Sequence, residues 1–434
     1  MMKAPEPARR TPLEPSAANP SSPADESLAT ALVGDVRGGW PAREDAVRLD
    51  ALLPGAPAGR HLTRLAPERL ERVKKAYTTR FVSEAVLAAP DRWSLLRGPV
   101  RPEPGDVVLA RVVAIGQHKA LESPTSRRQR LFLGDEVLVA YGHRYAPDQF
   151  EAEVPADLGE VHLIAAGGLA GRVTAMHSAM DEPTVLAPVG LLADDAGVVN
   201  LAAHAPFRRG AGGVGRPAAV PAPGPVVIAV LGTSMNSGKS TALACLGRGL
   251  TTAGFTVHAG KATGTGAGGD PGLFGDAGVR RVLDFTHFGV GSTFRLDHDA
   301  VLGIFEDLVE TLSAPVPGGR APDFVLVEIA DGVYQEETAR LLRDPVLHDR
   351  VDAVVFSAGD ALGAVAGVQV LHGLGLDVAA VRGVVTASPL AAREAAAAVG
   401  VRVVETYDLA DPGWALAVVG SLRATSAPGA RVPA

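Results

Sequence analysis

A single cysteine, Cys245, stands in the 434 residues. It has no partner for an internal disulfide, which suits a reducing compartment and predicts a cytoplasmic protein. No apolar run reaches the roughly 18–20 residues that a bilayer span needs, so no membrane partner is expected. The opening stretch MMKAPEPARRTPLEPSAANPSSPADES has no apolar core of a secretion signal. A basic excess is missing too. The formal net charge is −7, so there is no global attraction to nucleic acid or anionic lipid. No internal repeat is visible. His287, His298 and Asp299 match no zinc spacing, and Cys/His clusters are absent. What is present favours a core: 47% of residues are hydrophobic, and 50 glycines with 33 prolines stay below the composition of general disorder. The length predicts two or three domains.

Residues 1–25 read as a disordered Pro/Ala/Ser tail. Residues 26–103 read as mainly helical, most clearly in APERLERVKKAYTTRFVSEAVLA (66–88), where apolar positions recur at helical spacing. Between 104 and 207, short β-rich runs such as GDVVLARVVAIGQHKALE and GEVHLIAAGGLAGRVTAM predict a small barrel or sandwich. A Gly/Pro linker follows at 208–225. From 226 to 423, apolar runs alternate with helical segments: VVIAVL, FTVHAG, FVLVEIA, AVVFSA, VRGVVT and VRVVET. Continuous rather than alternating apolar strands predict a parallel sheet covered on both faces, hence a doubly wound α/β domain. Residues 424–434 read as a frayed tail.

The strongest motif is VVIAVLGTSMNSGKSTALACL (226–246). A buried strand runs into a small-residue loop, then Gly238-Lys239-Ser240, then a helix-forming run. Such a loop lets backbone N–H groups close on phosphate oxygens, and the helix N-terminus adds partial positive charge. Gly232, Thr233, Asn236, Ser237, Gly238, Lys239, Ser240 and Thr241 are the expected nucleotide-binding residues. Lys239 would reach the outer phosphates, and the Ser240 hydroxyl would hold Mg²⁺. The usual first glycine of G-x-x-x-x-G-K-[ST] is Thr233 here, with Gly232 one residue early.

Other residues cluster around this loop in the expected sheet. FVLVEIADG ends in Glu328, a strand-end carboxylate placed to ligate Mg²⁺, followed by Asp331. Lys261 ends the second expected strand and would face the same edge as Lys239. Asp270, Asp276 and Asp284 follow it. One of them would complete the metal shell, with Asp284 the least loop-like. VVTASP (384–389) lacks the Lys and Asp of guanine-reading loops, which favours ATP.

GTSMNSGKS has the shape GT-x-x-x-x-GK-[ST] and resembles the shifted loop of the dethiobiotin synthetase-like P-loop group, which also holds the cobyric and cobyrinic acid synthetases. The resemblance covers the C-terminal half, roughly 225–410. It implies that Lys261 and Thr265, in KATGTG, contact substrate and phosphate. It matches VEIADG to the group's Walker B at Glu328 and Gly332, making Lys239, Lys261 and Glu328 catalytic. It also places Thr386 where a base-contacting residue stands. The departures are specific. Ile329 and Asp331 replace family glycines, Ser234 stands at the signature lysine of partition-type relatives, and Cys245 lies in the loop helix, so no glutaminase nucleophile is present. The first 205 residues have no counterpart in dethiobiotin synthetase.

The resulting expectation is an ATP- and Mg²⁺-dependent ligase-like enzyme that phosphorylates a carboxylate or carbamate of a small molecule. A second reading is a kinase acting on a hydroxyl, including a polynucleotide end. In that reading the basic patch Arg127, Arg128 and Arg130 and the loop YGHRYAPDQFE (141–151), with Tyr141, His143, Arg144 and Tyr145, would clamp a nucleotide; a solvated turn with barrel-core aromatics is the preferred account of that loop. A third reading is a regulatory ATPase that binds a protein partner. A homodimer is compatible with all three.

Overall fold

The computed structural model describes residues 46–48, 59–207 and 224–426. The expected tail at 1–25, most of the linker at 208–225 and the end of the tail at 424–434 lie outside these residues.

The first described part contains β1 (Ala46–Arg48), β2 (His61–Arg64), α1 (Pro67–Arg72), β3 (Lys74–Lys75), α2 (Arg80–Ala88) and β4 (Ser94–Arg97). It continues through β5 (Val107–Ala114), β6 (Ala120–Glu122), β7 (Arg128–Arg130), β8 (Glu136–Tyr141), β9 (Phe150–Glu153), β10 (Val161–Ala165), β11 (Leu169–Met176), β12 (Thr184–Asp194) and β13 (Gly197–Val198). β5 pairs with both β8 and β12, and β12 leads through β10 and β11 back to β8. These strands therefore close a ring. Period-2 alternation places Val108, Ala110 and Val112 of β5 in one apolar cluster with Val139 and Leu163. Val107 and Leu109 enter another with Leu70, Val82 and Trp93.

The helix expected over 66–88 is interrupted. Val73 leaves α1 in extended conformation (φ −63°, ψ 132°). Lys74 and Lys75 then pair in parallel with Val137 and Leu138, and the Ala76 amide donates to the Leu138 carbonyl at 3.1 Å. The helical spacing was real, because Leu70, Val73, Val82 and Val86 share one cluster. Sheet-edge pairing overrides local propensity between them. The described part of 26–103 is thus mixed rather than mainly helical.

The second part contains β14 (Val226–Gly232), α3 (Lys239–Thr252), β15 (Val257–Lys261), α4 (Gly269–Asp276), β16 (Arg281–Asp284), α5 (His298–Ser313) and β17 (Phe324–Glu328). Then come α6 (Glu336–Leu341), α7 (Pro345–Arg350), β18 (Ala353–Ser357), α8 (Ala361–Gly373), β19 (Val378–Arg382), α9 (Pro389–Ala398) and α10 (Pro412–Ser426). The six strands run in the order β16-β15-β17-β14-β18-β19, and every pairing is parallel. Val227, Ala229 and Leu231 pack against Phe305 of α5 and Leu371 of α8. Val226, Ile228 and Val230 pack on the opposite face against Leu243 and Leu246 of α3. Burial on both faces is why the strand reads as one apolar run. This is a doubly wound P-loop NTPase fold.

Two strand readings shift. The run VRGVVT is not itself a strand: β19 ends at Arg382, Gly383 takes φ +105°, and a 3₁₀ turn covers 384–387. VRVVET touches the sheet only through a Val381–Val403 bridge. The sixth strand is instead the short edge strand β16, whose four residues are too few for a periodic signal. Among the described residues no helix is long and apolar enough to cross a membrane.

Candidate functional site

The carboxyl ends of β14, β15 and β17 meet where parallel-sheet enzymes bind ligands. The loop after β14 turns tightly. Asn236 has φ +59° and Gly238 φ +100°. A Cβ on Gly232 would lie 2.4 Å from Ser237 Oγ. Two glycines outside the loop let it pass. A Cβ on Gly332 would meet the Thr233 carbonyl oxygen at 2.3 Å, and one on Gly383 would meet that of Ser237 at 2.3 Å. α3 starts directly at Lys239, so its first amides, which have no intrahelical acceptor, face the loop's concavity.

Lys239 Nζ donates to the Ser234 carbonyl at 2.8 Å. Burial lowers its pKa, against the pull of Glu328 and Asp331. Lys261 ends β15 and lies in register with Glu328 on β17. Its Nζ is 3.0 Å from Glu328 Oε1 and also bonds Asp270 on α4. Burial alone would lower the Lys261 pKa; the two acids reverse this and raise it. Asp270 is held low despite its burial, by Lys261 and by a hydrogen bond with Ser240. Glu328 is 1% exposed, and its Oε2 has no partner among the described residues.

These groups line one cavity of about 510 Å³: Asn236, Gly238, Lys239, Ser240, Thr241, Lys261, Thr265 and Glu328, all expected from the sequence, together with Asp270 and Asp331. Gly232, Thr233 and Ser237 are not on its wall and build the loop behind it.

Two expected residues are placed elsewhere. Asp284 ends β16 beside Lys261, but its carboxylate accepts from Tyr77 Oη at 2.8 Å and the Thr286 amide at 3.0 Å. His287 Nδ1 and Arg80 also contact it, at 3.0 and 3.5 Å. Burial would raise its pKa; those partners hold it well below the usual carboxylate range. It anchors the β-rich part and does not line the cavity. Of the three candidate acids, Asp270 is the one on the cavity wall, where it hydrogen-bonds Ser240. Thr386 is likewise absent from the wall. Its hydroxyl donates to the Gly383 carbonyl at 2.9 Å and contacts Thr406 Oγ1 at 3.2 Å, which fixes the turn behind the loop.

The far wall comes from the β-rich part and includes His118, Arg144, Tyr145 and Gln149. Asn236 Nδ2 ties the loop to this wall by donating to Asp148 Oδ2 at 2.7 Å. Arg295 pairs with Glu153 at 2.7 Å, and the Gly268 amide donates to Glu122 at 2.8 Å. Arg144 and Tyr145 belong to the aromatic-basic loop visible in the sequence. Tyr141 of the same loop is instead fully buried core. Arg127, Arg128 and Arg130 are not on the cavity wall.

Hard oxygen donors from Ser240, Asp270 and Glu328 converge here, one of them a buried and unpartnered carboxylate oxygen, so the donor set fits Mg²⁺. The loop geometry suggests nucleotide binding.

No protein-family model matches the chain, and no curated protein sequence matches it. Among solved structures it is similar to the signal recognition particle receptor FtsY from Elizabethkingia anophelis, at 17% identity over 45% of this chain and 55% of that one, with TM-score 0.27. The same receptor in complex with GDP gives 17% identity, coverage of 36% and 48%, and TM-score 0.25. The 54 kDa signal recognition particle protein from Aeropyrum pernix K1 in complex with GDP gives 20% identity, coverage of 47% and 49%, and TM-score 0.30. The chain spans about half the length of these proteins. The fold stands on the strand order and the loop, not on these likenesses.

Proposed function

We propose that this chain is an ATP- and Mg²⁺-dependent enzyme that transfers the γ-phosphoryl group to a carboxylate or carbamate of a small molecule, the chemistry of the dethiobiotin synthetase-like group. The observation behind this reading is the cavity. The phosphate loop, Lys239, Lys261 and three acids share a space that the β-rich part walls off on the far side. Such enclosure suits a small acceptor rather than a polymer.

The chain's own groups do mainly positioning and charge neutralisation. The loop amides and the α3 N-terminus hold the phosphates. Lys239 neutralises charge on the transferred group. Lys261, kept protonated by Glu328 and Asp270, adds a second cation beside it. Ser240, Asp270 and Glu328 would hold Mg²⁺, which supplies further neutralisation of the phosphate oxygens. The acceptor carboxylate oxygen attacks the γ-phosphorus as the bond to the β–γ bridging oxygen breaks, and ADP leaves with that electron pair. The carboxylate is already anionic, so no general base is required.

One observation favours a second reading. Asp331 lines the cavity, and burial raises its pKa against the lowering effect of Lys239, Lys261 and Arg144. A carboxylate tuned this way could accept a proton from an attacking hydroxyl, as a kinase needs. The products separate the two. With ATP, Mg²⁺ and a panel of small carboxylates, phosphate release should rise about tenfold or more over the substrate-free rate, and hydroxylamine should trap a hydroxamate. A stable phosphate ester with no hydroxamate would support the kinase instead, and release indifferent to every small molecule would remove both.

A further inference from the structure

Arg144 is the cation on the far wall of the cavity. It leaves the barrel immediately after β8, and its backbone pairs with Ala152 at the end of the same loop, so its position is fixed by the sheet. The residue is 5% exposed. Nη2 donates to Gln149 Oε1 at 2.9 Å, while Nε and Nη1 are buried with no hydrogen-bond partner among the described residues. A buried guanidinium without a contacting carboxylate is costly, and the usual resolution is an anion that takes its free donors. Burial brings its pKa down to about 10, with Asp331 opposing, so it stays charged at neutral pH. His118, on the same wall, has a pKa lowered to about 4 by burial and by Arg144, so it adds no charge at neutral pH, and its Nδ1 is also unpartnered.

We propose that Arg144 is the substrate's anion-binding residue: one of its two unpartnered donors, Nε or Nη1, gives a carboxylate of the acceptor a charged hydrogen bond, and Gln149 on Nη2 holds the guanidinium in place. The proposal rests on the phosphoryl-transfer reading above and narrows it. The substrate is a small carboxylic acid, presented from the β-rich part toward the phosphate loop. The barrel then acts as the specificity element, and the α/β part as the phosphoryl-transfer element. A planar guanidinium held by Gln149 aims its free donors along fixed directions, which a flexible lysine ammonium does not, so Arg144→Lys should fail to replace it.

The shared chemistry is an oxyanion, and a nucleotide phosphate is the other source of one. The test separates them. The full chain is titrated with Mg·ADP by calorimetry, and its melting is followed at saturating Mg·ADP with acetate, malonate, succinate, glutarate or citrate at millimolar concentration. In wild type at least one carboxylate should raise the melting temperature. In Arg144→Gln and Arg144→Lys that rise should vanish, with apparent carboxylate affinity lower by about 30-fold or more, while the Mg·ADP dissociation constant stays within about twofold of wild type. Without ligands Arg144→Gln should melt at or above wild type, since it removes an unpaired buried charge; a purely structural arginine would give a lower melting temperature. A carboxylate effect that survives in the variants, or no carboxylate effect in wild type, overturns the proposal. A loss of Mg·ADP affinity with the carboxylate effect intact assigns Arg144 to the nucleotide and overturns it too. If Mg·ADP itself fails to bind wild type, the nucleotide reading falls, a result distinct from any of these.

Discussion

Lys239→Ala is expected to lower phosphate release by about 10³-fold while leaving the melting temperature nearly unchanged. The side chain rises from the first residue of α3, and its Nζ makes one described hydrogen bond, to the Ser234 carbonyl. That contact lies within an already constrained loop, so its loss costs the fold little. In the proposed reaction its role is to meet phosphate charge. Steady-state phosphate release and a circular dichroism melt on the same preparation check both halves. Retention of more than about a tenth of wild-type turnover would remove Lys239 from the catalytic set.

Lys261→Ala should behave differently, and the contrast is informative. Lys261 lies between Glu328, which is 1% exposed, and Asp270. Truncation leaves a buried carboxylate facing another with no cation between them. Breaking a buried pair by removing one partner costs about 3–5 kcal/mol, so this variant should lose both stability and turnover. Adding Glu328→Gln removes one of the stranded charges and should recover part of the stability without restoring turnover. Urea midpoints of the two variants test this. Equal midpoints for wild type and Lys261→Ala would show that the ion-pair network does not hold the sheet edge. The pH dependence follows from the same network. Asp270 titrates below its unfolded value, so its contribution is complete above the ordinary aspartate range and is lost as pH falls through and below it. Lys261 titrates above its unfolded value, so its contribution is lost only as pH rises beyond the ordinary lysine range. Between these limits the network's stability should be flat.

The phosphate loop was legible because its signal is local. A buried strand, small residues and Gly238-Lys239-Ser240 occupy one continuous stretch. Lys261 and Glu328 were legible for a related reason: each ends an apolar strand, and parallel strands deliver their carboxyl ends to one edge. Asp284 satisfied the same rule and was misassigned. What decides its role is Tyr77 and Arg80, some two hundred residues earlier, and no periodicity in the chain announces that contact. Sequence leaves Asp270 as one of three candidates with Asp276 and Asp284, because only the hydrogen bond between Asp270 and Ser240 singles Asp270 out. Thr386 lies in a 3₁₀ turn behind Gly383, because β19 ends earlier than its apolar run suggested.

The β-rich wall shows the same limit. Arg144 and Tyr145 stood out as a basic-aromatic loop, yet Tyr141 four residues away is core and Arg144 faces the cavity. Alternation along a strand is readable. Which barrel loop meets which sheet edge depends on long-range contacts such as Asn236 with Asp148. The break in the helix expected over 66–88 has that origin as well, since its cause is the edge of β8 rather than anything within the segment.

The central claim is that the loop from Gly232 to Ser240 holds a triphosphate. Calorimetry of the full chain with Mg·ATP and, separately, Mg·GTP tests it most directly. The account predicts saturable binding of Mg·ATP with a dissociation constant in the range of about 1 μM to 1 mM, tighter than for Mg·GTP. Absence of any binding heat from both nucleotides at millimolar concentration would contradict it.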